Sequence, residues 1–207
     1  MNLRIKVCGI TSREDAWAAI DEGVDALGFV FCAVSPRQVS PETAAAILAT
    51  LPPFIAKVGV FVDAQPDVIL ETIARTGIDT LQFHGTEPPS FCSQFALKTL
   101  KAFRIHDHAS LERLRDYTTA AWLLDTFVPG AAGGTGHTFN WDLAVRAREW
   151  ERPIVLAGGL TPANVATAIR QVRPFGVDVS SGVETAPGRK DRLKIREFVA
   201  RARAAAG

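Results

Sequence analysis

The sequence predicts an α/β fold, a single (β/α)8 barrel of the TIM type with short loops, formed as one domain over residues 1–207. Three observations predict it. Short apolar runs alternate with helical patterns of about ten residues, the rhythm of successive βα units. Eight such runs are present: Leu3–Cys8, Ala26–Phe31, Ile55–Phe61, Thr80–Phe83, Leu97–Phe103, Ala121–Asp125, Pro153–Ala157 and Val177–Ser180. The last two end in small residues one helix apart, where parallel barrels usually hold a phosphate. The 207 residues lie near the short end of the range of this fold, so the loops must be lean.

The helical segments follow in order. Thr11-x-x-Glu14 has the capping-box pattern and leads into Ala16, Ala19, Ile20 and Gly23 on one face. Ser40-Pro41 starts a second helix with Ala44, Ile47, Leu48 and Leu51 as its buried stripe. Thr161 is the expected N-cap, and Pro162 the first residue, of a helix that buries Val165, Ala168, Ile169 and Val172. The last helix buries Ile195, Phe198, Val199 and Ala202, with its basic residues mostly elsewhere, as on a solvated outer face. No linker, low-complexity segment or close repeat interrupts the rhythm.

Composition excludes several classes. Hydrophobic residues at 47% and charged residues at 22% are ordinary for a soluble globular chain. A formal net charge of +1 gives no electrostatic case for nucleic acid or membrane as partner. Three widely spaced cysteines, Cys8, Cys32 and Cys92, read as free thiols of a reducing compartment. The N-terminus lacks the apolar run of a signal peptide, and no stretch has the length of a membrane span, so a cytoplasmic location is expected. No dinucleotide or ATP fingerprint occurs. His106-x-His108 lacks a third ligand and reads as a surface feature, so neither metal nor cofactor is expected.

In a barrel of this kind the loops after the strands carry the chemistry. Gly158-Gly159 and Ser180-Ser181-Gly182 offer backbone N–H groups that suit an anion such as phosphate, although each alone reads as a tight turn. Cys8 ends the first strand; it is either a small core hydrophobe or a base in the pocket. Asp125 ends an apolar strand, where a carboxylate either bonds the following loop or faces the pocket. A thiol and a carboxyl across a pocket suit acid–base work, one taking a proton from carbon and the other giving one to oxygen. Arg37 either forks onto a carboxylate or is solvated. His84 either touches substrate or holds the loop after the fourth strand. Cys32 and Cys92 read as packing thiols.

The motifs KVCGIT (Lys6–Thr11), GFVF (Gly28–Phe31) with SPR (Ser35–Arg37), KVGVFV (Lys57–Val62), QFHG (Gln82–Gly85), LLDT (Leu123–Thr126) with GGTG (Gly133–Gly136), LAGGLTPANV (Leu156–Val165) and DVSSGVE (Asp178–Glu184) with GRKD (Gly188–Asp191) span nearly the whole chain. In this order the set resembles the phosphoribosylanthranilate isomerase family. Phe83 departs from it, standing where the family usually has Leu, and a packing difference is expected there. The resemblance implies the Amadori rearrangement of N-(5-phosphoribosyl)anthranilate to 1-(2-carboxyphenylamino)-1-deoxyribulose 5-phosphate in tryptophan biosynthesis, without cofactor or metal. It implies Asp125 as general acid, Cys8 as general base and Arg37 as the anchor of the anthranilate carboxylate. It places the phosphate on the backbone of Gly158, Gly159, Ser180, Ser181 and Gly182. The partner is then a phosphorylated small molecule, and the oligomeric state is monomer or homodimer.

Two rivals are weighed against this reading. Another phosphate-binding barrel, such as an indole-glycerol-phosphate synthase, would carry a catalytic Lys and Glu ring on the early strands; here Lys6 and Lys57 lie inside strands. A non-catalytic sugar-phosphate-binding barrel would keep the phosphate cradle without needing both Cys8 and Asp125.

Overall fold

A computed structural model describes residues 3–125 and 141–207. The Gly-rich segment after Asp125, with Thr126 and GGTG, lies outside the described residues. Eight parallel strands close in sequence order: β1 (Arg4–Cys8), β2 (Ala26–Val30), β3 (Ala56–Phe61), β4 (Thr80–Phe83), β5 (Lys98–Arg104), β6 (Ala121–Asp125), β7 (Ile154–Ala157) and β8 (Gly176–Val179). Closure is made by β1 on β8, with Arg4 opposite Gly176 and Lys6 opposite Asp178. The helices are α1 (Arg13–Asp21), α2 (Pro41–Leu48), α3 (Pro66–Thr76), α4 (Pro89–Ser93), α5 (His108–Glu112), α6 (Trp141–Ala147), α7 (Val165–Val172) and α8 (Arg192–Ala205). A small hairpin, β9 (Glu184–Ala186) with β10 (Arg189–Lys190), follows β8.

The two faces of each strand explain the layers, because successive side chains point to opposite sides. The outer face carries the large core between strands and helices, including Ile5, Val7, Phe29, Phe61, Phe83, Leu124 and Leu156. The lumen holds two smaller apolar patches. One is Cys8, Val30 and Val60 with Cys32; the other is Ala102, Ala121, Leu123, Val155 and Ala157. The apolar stripes expected on α2, α7 and α8 are buried, apart from the half-buried Leu51. Phe83 points outward and packs against Phe91 and Phe95, with ring centroids 5.5 Å away from each. Phe83 thus belongs to an aromatic cluster outside the lumen.

Two helix starts differ from the sequence expectation. Ser12, not Thr11, caps α1: its hydroxyl accepts from Asp15 N, while the Thr11 hydroxyl donates to Gly188 O at 2.6 Å. Helix α7 begins at Val165 behind Asn164, so Thr161 and Pro162 belong to the preceding turn. That turn is fixed by Asn164, whose side chain accepts from Thr161 N and donates to Gly159 O. Ser180 lies just past β8 and opens into a short 3-10 turn. Three basic residues of α8 pair with acids of α1 and its flanks, Arg192 with Asp21 and Glu22, Arg196 with Glu22, and Arg203 with Asp25. Among the described residues, no helix is long and apolar enough to cross a membrane.

Candidate active site

The strand ends bring the expected residues together in two groups. In the first, the loops after β1, β2 and β8 converge. A side chain built on Gly9 would lie 2.6 Å from Arg37 Cδ and 3.2 Å from Ser180 Oγ, so the three loops touch at that point. Arg37 forks onto Glu184, with Nε donating to Oε1 at 2.8 Å and Nη2 to Oε2 at 2.7 Å. Glu184 also takes Lys190 Nζ at 2.7 Å, and Lys190 reaches the Ser180 hydroxyl at 3.5 Å. Burial alone drives the Glu184 carboxyl upward, but the hydrogen bonds and charges of Arg37 and Lys190 hold it below the usual carboxylate range. Glu184 and Lys190 were not singled out from the sequence. They lie in the GVE and GRKD motifs, but only the hairpin shows that they meet.

Cys8 sits in this group with its side chain against Gly28 on β2, where a Cβ would lie 2.7 Å from Sγ. Its residue is 8% exposed, so the thiol is nearly enclosed. Burial pushes the thiol pKa up, Lys6 and Lys190 draw it down, and Asp178 adds to the rise; the net direction is upward. Lys6, inside β1, forms a buried ion pair with Asp178 on β8 at 2.9 Å.

The second group joins β4 and β6. His84 Nε2 and Asp125 Oδ2 are 3.2 Å apart, and His84 Nδ1 lies 3.2 Å from Gln82 Nε2. His84 is held from beneath by a buried pair. Lys101 Nζ donates to Gly85 O at 2.7 Å and pairs with Glu87, and Glu87 accepts from Gly85 N. Cys8 on β1 and Asp125 on β6 end strands three steps apart around the wall, at about 4.8 Å per step. Both share the lumen parity of their strands, Cys8 with Lys6 and Asp125 with Leu123.

The proposed phosphate cradle is built by contact between the loops after β7 and β8. A Cβ on Gly182 would stand 1.9 Å from Leu160 O, a distance only the bare backbone avoids. Gly158 and Gly159 have φ of +80° and +62°, left-handed values that suit glycine. The two packing thiols differ. Cys92 is the buried residue of α4 and its pKa is pushed up to about 11 by burial, whereas Cys32 is half-buried beside the Cys8 patch. His106 and His108 flank Asp107, the N-cap of α5, and Arg146 Nη1 lies 2.9 Å from His108 Nδ1.

The profile of the N-(5'phosphoribosyl)anthranilate (PRA) isomerase family matches residues 5–201. The N-(5'-phosphoribosyl)anthranilate isomerase of Geobacter sulfurreducens is 54% identical over 201 residues, covering 97% of this chain and 98% of the relative. The crystal structure of phosphoribosyl anthranilate isomerase from Thermotoga maritima superposes with a TM-score of 0.90 at 43% identity, covering 98% of this chain and 99% of that one. A second structure, in complex with reduced 1-(o-carboxyphenylamino)-1-deoxyribulose 5-phosphate, gives a TM-score of 0.87 at 41% identity over 98% of this chain and 99% of that one.

Proposed function

The chain belongs to the N-(5'-phosphoribosyl)anthranilate isomerase family, and from that premise we propose that Cys8 and Asp125 carry the rearrangement as base and acid. The reaction is that of the family, phosphoribosylanthranilate isomerisation in tryptophan biosynthesis. In detail it is an aldose-to-ketose redox within one molecule. Asp125 gives a proton to the ribose ring oxygen, the C1–O bond breaks, and the nitrogen lone pair closes a protonated Schiff base. The Cys8 thiolate removes the proton on C2, giving an enolamine. Tautomerisation then returns a proton to C1, leaving C2 as the ketone and C1 reduced. No external oxidant or reductant enters the balance.

The single observation that carries this reading is a thiol and a His-bound carboxyl group ending strands three apart around one lumen. Both ends of the substrate are anionic. The phosphate takes the Gly158-Gly159 and Ser180-Ser181-Gly182 backbone, and the carboxylate takes the Arg37 N–H groups that Glu184 does not engage. Fixing both ends holds the reacting carbons between Cys8 and Asp125, so orientation replaces a bimolecular encounter. His84 keeps its place at the substrate and orients the acid. The setting for this chemistry is the cytoplasm.

Oligomeric state rests on one surface feature. Phe54 is fully exposed, left-handed at φ 71°, beside a hollow of about 350 Å³ at the N-terminal mouth lined by Ile5, Ala56, Val58, Phe175 and Val177. A homodimer would cover it and a monomer would leave it in water; sedimentation of the protein and of Phe54→Asp distinguishes the two.

The test of function is turnover of phosphoribosylanthranilate by variants. Cys8→Ala and Asp125→Asn should each lower kcat by about 10²–10⁴, the usual yield of acid–base catalysis, while melting as cooperatively as wild type. Wild-type turnover by either folded variant removes that residue from its role. A non-catalytic barrel would show no turnover in any form, including the wild type.

A further inference from the structure

On the reading that Cys8 is the base, we propose that Lys6 is a positioning residue that supplies the positive charge facing the Cys8 thiolate, with Asp178 holding the ammonium in place. Lys6 and Cys8 lie two apart on β1 and therefore share the lumen face. The β1–β8 register sets Asp178 opposite Lys6, and Nζ donates to Oδ1 at 2.9 Å with both side chains nearly enclosed. A Cβ on Gly28 would meet both Cys8 Sγ at 2.7 Å and Lys6 Cε at 3.1 Å, so thiol and lysine stem crowd one point. The ammonium's charge favours the thiolate over the thiol.

The charge count supports the role. The charged groups facing Cys8 are Lys6, Asp178, Lys190 and Arg37, and Glu184 engages the last two. Three cations against two carboxylates leave one positive charge in excess, in a cluster that is buried except at Arg37. A thiolate at Cys8 cancels it. A buried ion pair kept only for stability has little advantage over an apolar pair of the same size. Its position directly beneath the base gives it a different use.

The thiolate is titrated in the free enzyme by ultraviolet absorbance and by alkylation rate, with Cys8→Ser subtracted to remove Cys32 and Cys92. Lys6→Met should raise the Cys8 midpoint by about one unit or more, cutting alkylation at fixed pH below the midpoint about tenfold or more. Asp178→Asn should lower the midpoint, because the buried ammonium then has the thiolate as its partner. Should Lys6→Met fail to fold around an uncompensated Asp178, the neutral pair Lys6→Gln/Asp178→Asn carries the test, and its midpoint should lie above wild type. An unmoved or lowered midpoint in Lys6→Met, a neutral pair at or below wild type, or no fall in Asp178→Asn overturns the proposal. These titrations need no turnover. Failure of the base assignment appears separately, as wild-type activity in Cys8→Ala.

Discussion

Gly28→Ala puts the position of the sulfur to the test. The new Cβ would fall 2.7 Å from Cys8 Sγ, 3.1 Å from Cys8 Cα and 3.1 Å from Lys6 Cε. Ordinary heavy-atom contact begins near 3.5 Å, so the sulfur must retreat by about 0.8 Å and the strands must part by a few tenths of an ångström. A misplacement of about 1 Å at a reacting group costs on the order of 10²-fold, so kcat should fall by about 10- to 100-fold. KM should stay within about threefold, because Gly28 lies away from the phosphate and carboxylate anchors. Overpacking should cost about 1–3 kcal/mol of stability, a fall in Tm of several degrees for a chain of this size. Steady-state kinetics and a thermal melt read both quantities. A folded Gly28→Ala with wild-type kcat would refute the premise that Cys8 acts from one fixed point, and a rise confined to KM would move Gly28 to the substrate anchors.

Arg37→Ala should raise KM by about 10- to 100-fold, the range of a lost charge-assisted hydrogen bond, and more than it lowers kcat; an unchanged KM removes Arg37 from the substrate. Glu184 links stability to pH, because its folded carboxyl is held below its unfolded value of about 4.3. Its contribution is complete above that value and is lost as pH falls through the lower, folded one. Glu184→Gln should therefore flatten part of the fall in Tm below about pH 5, while Asp25, also held low, keeps its share. An acid limb identical to wild type would show that Arg37 and Lys190 do not stabilise the carboxylate.

The barrel was legible because its signals are local. Short apolar runs and amphipathic stripes recur along the chain, and each observed strand falls within a residue of its expected bounds. Cap positions were less legible. Thr11 and Thr161 have the right chemistry for N-caps, yet Thr11 is drawn to Gly188, 177 positions away, and Asn164 takes the start of α7. A single side chain cannot declare in advance which of two partners it will meet.

What the sequence determined alone was the set of residues at or just beyond the strand ends: a thiol, a carboxylate, an arginine in the loop after the second run and two small-residue turns. What only the tertiary structure decided was their partners. Closure of β1 onto β8 brings Asp178 to Lys6 beneath Cys8, the hairpin after β8 brings Glu184 and Lys190 to Arg37, and the β4–β6 spacing brings His84 to Asp125. These pairs join residues from 41 to 172 positions apart. Periodicity reports which face of an element a residue occupies. Which charge stands across the lumen from it is set by strand order and register, and those are fixed only when the barrel closes.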